Sequence, residues 1–143
     1  MKISSKARYG LAALASMAKH EGVDKVVAVV TLSDRLGISK IYLEQVFSIL
    51  KRGGFVISVK GSSGGYHLAK PPKEISVYDI FSTIETAMFE KTEATVAKSD
   101  EYLEHSINEN VYNQLDKKIR ETLANVSLED IINNAGDGYM YYL

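Results

Sequence analysis

The sequence predicts a mainly α-helical fold broken once by a small β-hairpin, with a long helix near its C-terminal end. Three observations predict it. Apolar residues recur at three- and four-residue steps through most of the chain. The one alternating stretch, Phe55 to Lys60, leads into a glycine-rich turn and a second short strand. From about Tyr102 to Asn125 an apolar residue falls at every fourth position. With 143 residues, 45% of them hydrophobic and 24% charged, the chain has the usage of a protein that folds around one core.

The elements follow in order. Ile3, Ala7, Leu11, Leu14, Ala15 and Ala18 line one face of a first helix over Ile3 to Lys19, whose start is crowded by Lys2, Lys6 and Arg8. Cations sit poorly at the positive end of a helix dipole, so an external anion is one explanation for three of them; a solvated basic end is the other. Lys25 to Val30 is a short β-branched run. Thr31 and Asp34 then have capping-box spacing for a short helix that Gly37 closes, and Ser39 caps the next. That second helix, Lys40 to Arg52, buries Leu43, Val46, Phe47 and Leu50 at i, i+3, i+4, i+7 and turns Ile41, Gln45, Ser48 and Arg52 outward, with Lys40, Glu44 and Lys51 beside them.

Phe55, Ile57 and Val59 alternate with Val56, Ser58 and Lys60 as a strand. The turn Gly61-Ser62-Ser63-Gly64-Gly65 and the strand Tyr66-His67-Leu68 complete a hairpin. Three helices and a hairpin, two of the helices joined by the tight turn Gly37-Ile38-Ser39, make the order of a winged helix-turn-helix. The wing tip, Lys60 beside Gly61, can come close to a DNA backbone or minor groove. No phosphate-binding loop fits here, because the Gly-Lys-Ser/Thr ending is missing and a strand follows.

Pro71 and Pro72, the only two prolines, mark the exit from this unit. Ile75, Ser76, Asp79 and Ile80 then start a helix at Val77, running to about Glu85 with Ile80, Phe81 and Ile84 inward. Ala87 to Ser99 reads as a loop or frayed helix. The long helix carries Leu103, Ile107, Val111, Leu115, Ile119 and Leu123. A ridge of four-residue steps drifts by about 40° per step, since 3.6 residues make a turn. One small neighbour cannot cover so wide a stripe. The expectation is that the ridge packs partly on its own chain and partly, through Val111, Leu115, Ile119 and Leu123, on the same helix of a second chain, a monomer's core helix being the alternative. Val126, Ser127, Asp130 and Ile131 start a last helix that Gly136 ends, and the aromatic tail from Gly138 to Leu143 is expected to dock on its own dimer or on a partner protein. Residues 1–85 are thus read as the winged helix-turn-helix and 86–143 as dimerisation helix and tail.

Composition narrows the function. The net charge of −1 conceals a split: Met1 to Pro72 carries eleven Lys and Arg against four acids, and Lys73 to Leu143 six against fourteen, or +7 and −8. A basic half attracts a polyanion, which points to nucleic acid at one end. The absence of cysteine removes disulfides, thiol nucleophiles and thiolate-held metals. No run reaches the ~20 apolar residues of a membrane span and the N-terminus lacks a signal peptide's apolar core, so a cytoplasmic location is expected. Enzyme chemistry has thin support. His20, His67 and His105 lie in three separate segments, no catalytic or nucleotide-binding motif accompanies them, and Glu101, Glu104 and Glu109 read as a solvated helix face.

Several stretches together resemble the Rrf2 family of bacterial winged-helix regulators, over nearly the whole chain. They are Ser4 to Gly10 (SSKARYG), Tyr42 to Gln45 (YLEQ), Leu50 to Val56 (LKRGGFV), Val59 to Gly61 (VKG) and Gly64 to Tyr66 (GGY). The resemblance implies a homodimer, paired through the long helix, that reads a palindromic operator in double-stranded DNA with a helix in each major groove and a wing in each minor groove. On matching positions Lys6, Arg8 and Tyr9 would fix phosphates, Tyr42, Glu44 and Gln45 would face the bases, and Lys60 would enter the minor groove. With the residues of the same outward surface the expected DNA-binding set is Lys6, Arg8, Tyr9, Ser39, Lys40, Tyr42, Glu44, Gln45, Ser48, Arg52, Lys60 and Gly61. Many relatives have arginine where Lys60 stands, and lysine holds its hydration more tightly. Relatives that sense iron–sulfur status place three cysteines before the long helix; Thr86 to Glu104 has none, so neither cofactor nor metal is expected. The ending is similar to that of the cysteine-metabolism repressor branch, which adds a metabolic enzyme such as cysteine synthase to the expected partners. The competing reading is a dimeric protein-interaction module that has lost DNA binding.

Overall fold

The computed structural model describes residues 1–136, and the aromatic tail lies outside the described residues. Helix α1 (Ser5–His20) opens on Ser4, whose hydroxyl accepts from the Ala7 amide 3.2 Å away. Its burial is wider than the expected stripe: Gly10, Ala13, Ser16 and Met17 are buried as well, because neighbours pack on several sides. Gly10 of α1 packs against the end of α4 (Val77–Ile84). A Cβ there would run into the end of the Ile84 side chain, which would have to shift to make room for it.

Helix α2 (Val29–Leu36) begins three residues earlier than the Thr31 box implied, and that box is not made: Ala28 is the N-cap and supplies no side-chain bond. The cause lies in the preceding residue. Val27 is tied to Tyr66 through both of its backbone groups, each at 2.9 Å, so the β-branched run yields one bridge and the helix starts directly after it. Gly37 closes α2 in the left-handed region, φ 66°, which a side chain rarely adopts. Helix α3 (Lys40–Arg52) follows, with Ser39 accepting from the Tyr42 amide at 3.1 Å. Its expected inner stripe, Leu43, Val46, Phe47 and Leu50, is entirely buried.

The hairpin pairs β1 (Val56–Val59) with β2 (Gly65–Leu68) in antiparallel register, Val56 opposite Leu68 and Ser58 opposite Tyr66. The apolar alternation is offset from its simple reading. Val56 and Leu68 face the core, whereas Ile57 and Val59 stand on the outer face with His67 and Gly65. Phe55 is buried before the strand begins, so the run of odd-numbered apolar residues belongs to two environments. The Tyr66 ring lies 4.7 Å from that of Phe47, which seats the hairpin against α3. Mainly helical architecture with one two-stranded antiparallel sheet is thus the fold.

From Pro72 a short 3₁₀ turn leads to α4, and the other two predicted capping boxes are present: Ser76 with Asp79, and Ser127 with Asp130 at the start of α7 (Leu128–Asn134). The two cap segments also pair with each other. The Val77 amide donates to the Val126 carbonyl at 2.8 Å and the Leu128 amide to that of Ile75 at 2.9 Å. Leu128 is thereby buried in the core formed by the N-terminal elements. Helix α7 stops at Asn134 with Ala135 as cap, one residue before the glycine expected to end it.

The predicted long helix is α5 (Glu101–Ile107) and α6 (Asn113–Ala124), joined through a π turn over Asn108–Tyr112. A π turn advances less rotation per residue than an α turn, so it runs against the drift of a four-residue ridge and keeps Ile107, Val111 and Leu115 closer to one line. Glu104 corrects the reading of a solvated acidic face. It is 4% exposed, and its carboxylate accepts from the Thr95 amide at 3.1 Å and the Val96 amide at 2.9 Å. Farther along, Arg120 donates to the Phe89 carbonyl at 3.2 Å and lies 3.4 Å from the Tyr78 hydroxyl. The segment from Phe89 to Val96 is therefore a strap, tied at each end to the long helix. Glu104→Ala should release one end, so limited trypsin digestion is expected to cut after Lys91 and Lys98 several-fold faster while the rest of the chain resists. Equal rates in both proteins would mean that the carboxylate does not hold the strap.

Candidate nucleic-acid interface

The inner stripe of α3 decides what its other side presents. With Leu43, Val46, Phe47 and Leu50 buried, Ile41, Glu44, Gln45, Ser48 and Arg52 must stand outward, and all five are exposed. Helix α1 adds to this surface. Lys6 shares an open groove with Ile41, Glu44, Gln45, Ser48 and Arg52. A second depression alongside it is lined by Ser5, Tyr9, Ser39 and Tyr42 across the helix-turn-helix turn. The rings of Tyr9 and Tyr42 meet edge to face at 5.2 Å and 87°, fixing the start of α1 against the first turn of α3. The structure thus brings Lys6, Glu44, Gln45, Ser48 and Arg52 into one groove and Tyr9, Ser39 and Tyr42 into a second, both formed between α1 and the α3 region.

Arg8 is exposed on α1 and donates to the Ser5 hydroxyl at 3.1 Å. Lys60 and Gly61 occupy the exposed hairpin tip; they line neither groove. Lys40 is exposed at the first position of α3 and lies 3.7 Å from Glu44, an i,i+4 pair in high dielectric that contributes little to stability. Among the described residues Lys6, Arg8, Arg52 and Lys60 take part in no ion pair. Arg35, a cation of the same basic half, has a structural post. It donates to Glu21 at 2.7 and 3.2 Å and to Ser16 at 3.1 Å, joining α2 to the end of α1. The hydrogen bond to Glu21 raises its guanidinium above the ordinary value, burial opposes the shift, and the carboxylate's charge adds to it. Residue spacing could not have separated Arg35 from the outward cations, because its partner lies 14 residues away.

Sequence and structure comparisons bear on what this surface belongs to. The sequence model of Rrf2, described as an iron-dependent transcriptional regulator, matches residues 3–134. The chain belongs to the Rrf2 family. Its relatives include the HTH-type transcriptional regulator IscR of Pectobacterium atrosepticum, 33% identical over 134 residues that cover 94% of this chain and 80% of the relative. IscR of Yersinia pseudotuberculosis is 34% identical over 137 residues, with the same coverage. Among solved structures, T. potens IscR superposes with a TM-score of 0.71 at 35% identity, covering 99% of this chain and 97% of its own. CymR, the global cysteine regulator of B. subtilis, superposes at 0.76 with 28% identity, covering 95% and 99%.

This Rrf2 protein is accordingly a DNA-binding transcription regulator with a winged-helix fold, and its family is not one of enzymes. The three histidines agree with that, since they stand on three different elements: the end of α1, strand β2 and α5. The family description names iron, and the residues present do not fit it. The chain has no cysteine, and among the described residues no group of three or more His, Asp or Glu side chains is placed to hold a metal ion. Glu104, the buried acid in the segment concerned, has its oxygens engaged by backbone amides. Among the described residues no helix is long and apolar enough to cross a membrane.

The cap of α3 is a test of how this surface is held. Ser39→Ala removes the bond to the Tyr42 amide and should cost about 1 kcal/mol, read from the midpoint of urea unfolding. An unshifted midpoint would mean that the Ser39 hydroxyl does not hold the start of α3.

Proposed function

We propose that two copies of this Rrf2 protein pair through the α5–α6 rod and occupy a palindromic operator in the cytoplasm, repressing transcription by excluding polymerase, without an iron–sulfur cluster. The observation that carries the reading is the single surface on which the outward face of α3 stands beside the cationic start of α1. Cations suit phosphates and amide or hydroxyl groups suit base edges, and this surface offers both within one groove. In the proposed complex Lys6, Arg8, Tyr9, Ser39, Lys40 and Arg52 hold phosphates, while Tyr42, Glu44, Gln45 and Ser48 face the major groove. Lys60 and Gly61 reach the minor groove from the wing.

Pairing is supported by what the rod leaves uncovered. Val111 and Leu115 are 45% and 56% exposed, an expensive display for a single chain. Ile119 and Leu123 line an apolar groove with Ile3 and Met88. In this arrangement residues 1–85 read DNA and residues 86–143 set the separation of the two readers, with α7 fastening the second segment back onto the first. The likeness to CymR supports a role in cysteine supply, with a metabolic enzyme such as cysteine synthase as the partner that reports it.

Two measurements test this. The logarithm of affinity for duplex DNA should fall linearly with log salt by about 0.9 per phosphate neutralised, and Lys60→Ala, absent from the core, should make that slope shallower by about 1.8 for two wings. An unchanged slope would remove the wing, and flat binding at all salt concentrations would favour the interaction module. Ile119→Asp should halve the sedimentation mass while the circular dichroism stays helical, because a lone charge is costly in an apolar seam. A folded variant of undiminished mass would place the seam elsewhere.

A further inference from the structure

We infer that Ile41 is a specificity residue of the reading helix, packing on the C5-methyl group of a thymine in the major groove; the inference rests on the DNA-binding reading above and names what one of its side chains recognises. Ile41 is the second residue of α3 and 71% exposed. Scattered apolar side chains on a surface are ordinary, so exposure alone carries nothing. Placement carries it. Ile41 lies in the groove with Lys6, Gln45, Ser48 and Arg52, flanked by groups that suit phosphates and base edges. Ile41, Glu44, Gln45 and Ser48 stand at i, i+3, i+4 and i+7, so they share one face and approach one partner together.

Helix formation does not explain an isoleucine there. A β-branched side chain loses rotamer freedom in a helix, and the lysine, glutamate and glutamine around it are better helix formers. Core packing does not explain it either, because most of its surface faces away from the chain. The N-terminal residues of a reading helix are those that reach base edges, and among the four bases only thymine offers a methyl group in the major groove. One helical turn separates Ile41 from Gln45, about 5.4 Å against a rise of about 3.4 Å per base pair, so their contacts fall one or two base pairs apart.

The probe is a duplex selected by the purified full-length protein from random DNA, in which each symmetric pair of thymines is replaced in turn by deoxyuridine, removing only the methyl groups. One buried methyl corresponds to about a four-fold change in affinity, so the symmetric pair read by Ile41 should weaken binding by about 15-fold. Ile41→Ala should bind the thymine and uracil forms of that duplex alike, and its melting temperature should be near that of the parent because the side chain is exposed. Uracil forms that bind within two-fold of thymine at every position overturn the inference and leave the DNA-binding reading intact. Discrimination that persists in Ile41→Ala also overturns it, since the cause would then be DNA shape or another residue. If no duplex is selected at all and binding does not depend on salt, the reading and the inference fall together.

Discussion

The burial of one stripe on α3 governs the rest of the molecule. Leu43, Val46, Phe47 and Leu50 have no contact with solvent, and a rotation of the helix by one residue, about 100°, would exchange some of them for Glu44, Ser48 or Lys51. The cost of burying a charge or an unpaired hydroxyl and exposing a leucine makes such a rotation inaccessible. Everything that α3 shows to a partner is therefore set from the inside. The seats are specific: Tyr66 of the hairpin lies on Phe47, and Tyr9 of α1 meets Tyr42. Helix, wing and the basic start of α1 thereby share one rigid frame, as a reader of a stiff, periodic ligand requires.

A second constraint acts on the C-terminal side. The rod of α5 and α6 carries more apolar surface than its own chain covers, yet it is held in a definite relation to the core by Arg120, by the paired cap segments at Ser76 and Ser127, and by Leu128. If a second copy joins along the rod, as proposed, the distance between two α3 helices is fixed by these contacts and by no flexible linker. The strap from Phe89 to Val96 lies on the same rod and is tied by Glu104, so a change in that segment has a direct path to the pairing surface. What ties the segment down here is a carboxylate and two backbone amides.

Much of this was legible in the sequence, and the limits are instructive. The inner stripe of α3, Gly37, the cap at Ser39 and the capping boxes at Ser76 and Ser127 were readable because each depends on residues a few positions apart. The family resemblance rested on such local stretches as well. Most of the failures involve partners outside the element being read. The Thr31 box gave way to Val27 because Tyr66, 39 positions later, claimed that backbone. Glu104 looked like one of several solvated acids, since nothing in its own helix announces the Thr95 and Val96 amides that bury it. The π turn has no periodic signature, and the strand alternation was misleading because Phe55 and Ile57 belong to different surroundings. The outward face of α3 could be listed from the sequence, but its merger with Lys6 into one groove depends on how α1 crosses α3.

An acid on a surface proposed to meet a polyanion needs its own account. Of the four acids in the basic half, Glu21 is matched by Arg35 and Glu44 by Lys40, which leaves nine of the eleven cations facing only Asp24 and Asp34. The field that draws DNA in is therefore little weakened by Glu44. Close to the bases the same carboxylate acts differently. In the proposed complex it can accept from the amino group of cytosine or of adenine and from no group that guanine or thymine presents, so it penalises base edges that offer only acceptors. Lys40 lowers that penalty at long range, where the pair looks neutral, and cannot remove it at contact, where one oxygen must face one base edge. If the proposed complex forms, Lys6 of α1 and Arg52 of α3 attract DNA whatever its sequence while Glu44 selects against acceptor-only base edges, so affinity and selectivity rest on different side chains of neighbouring helices.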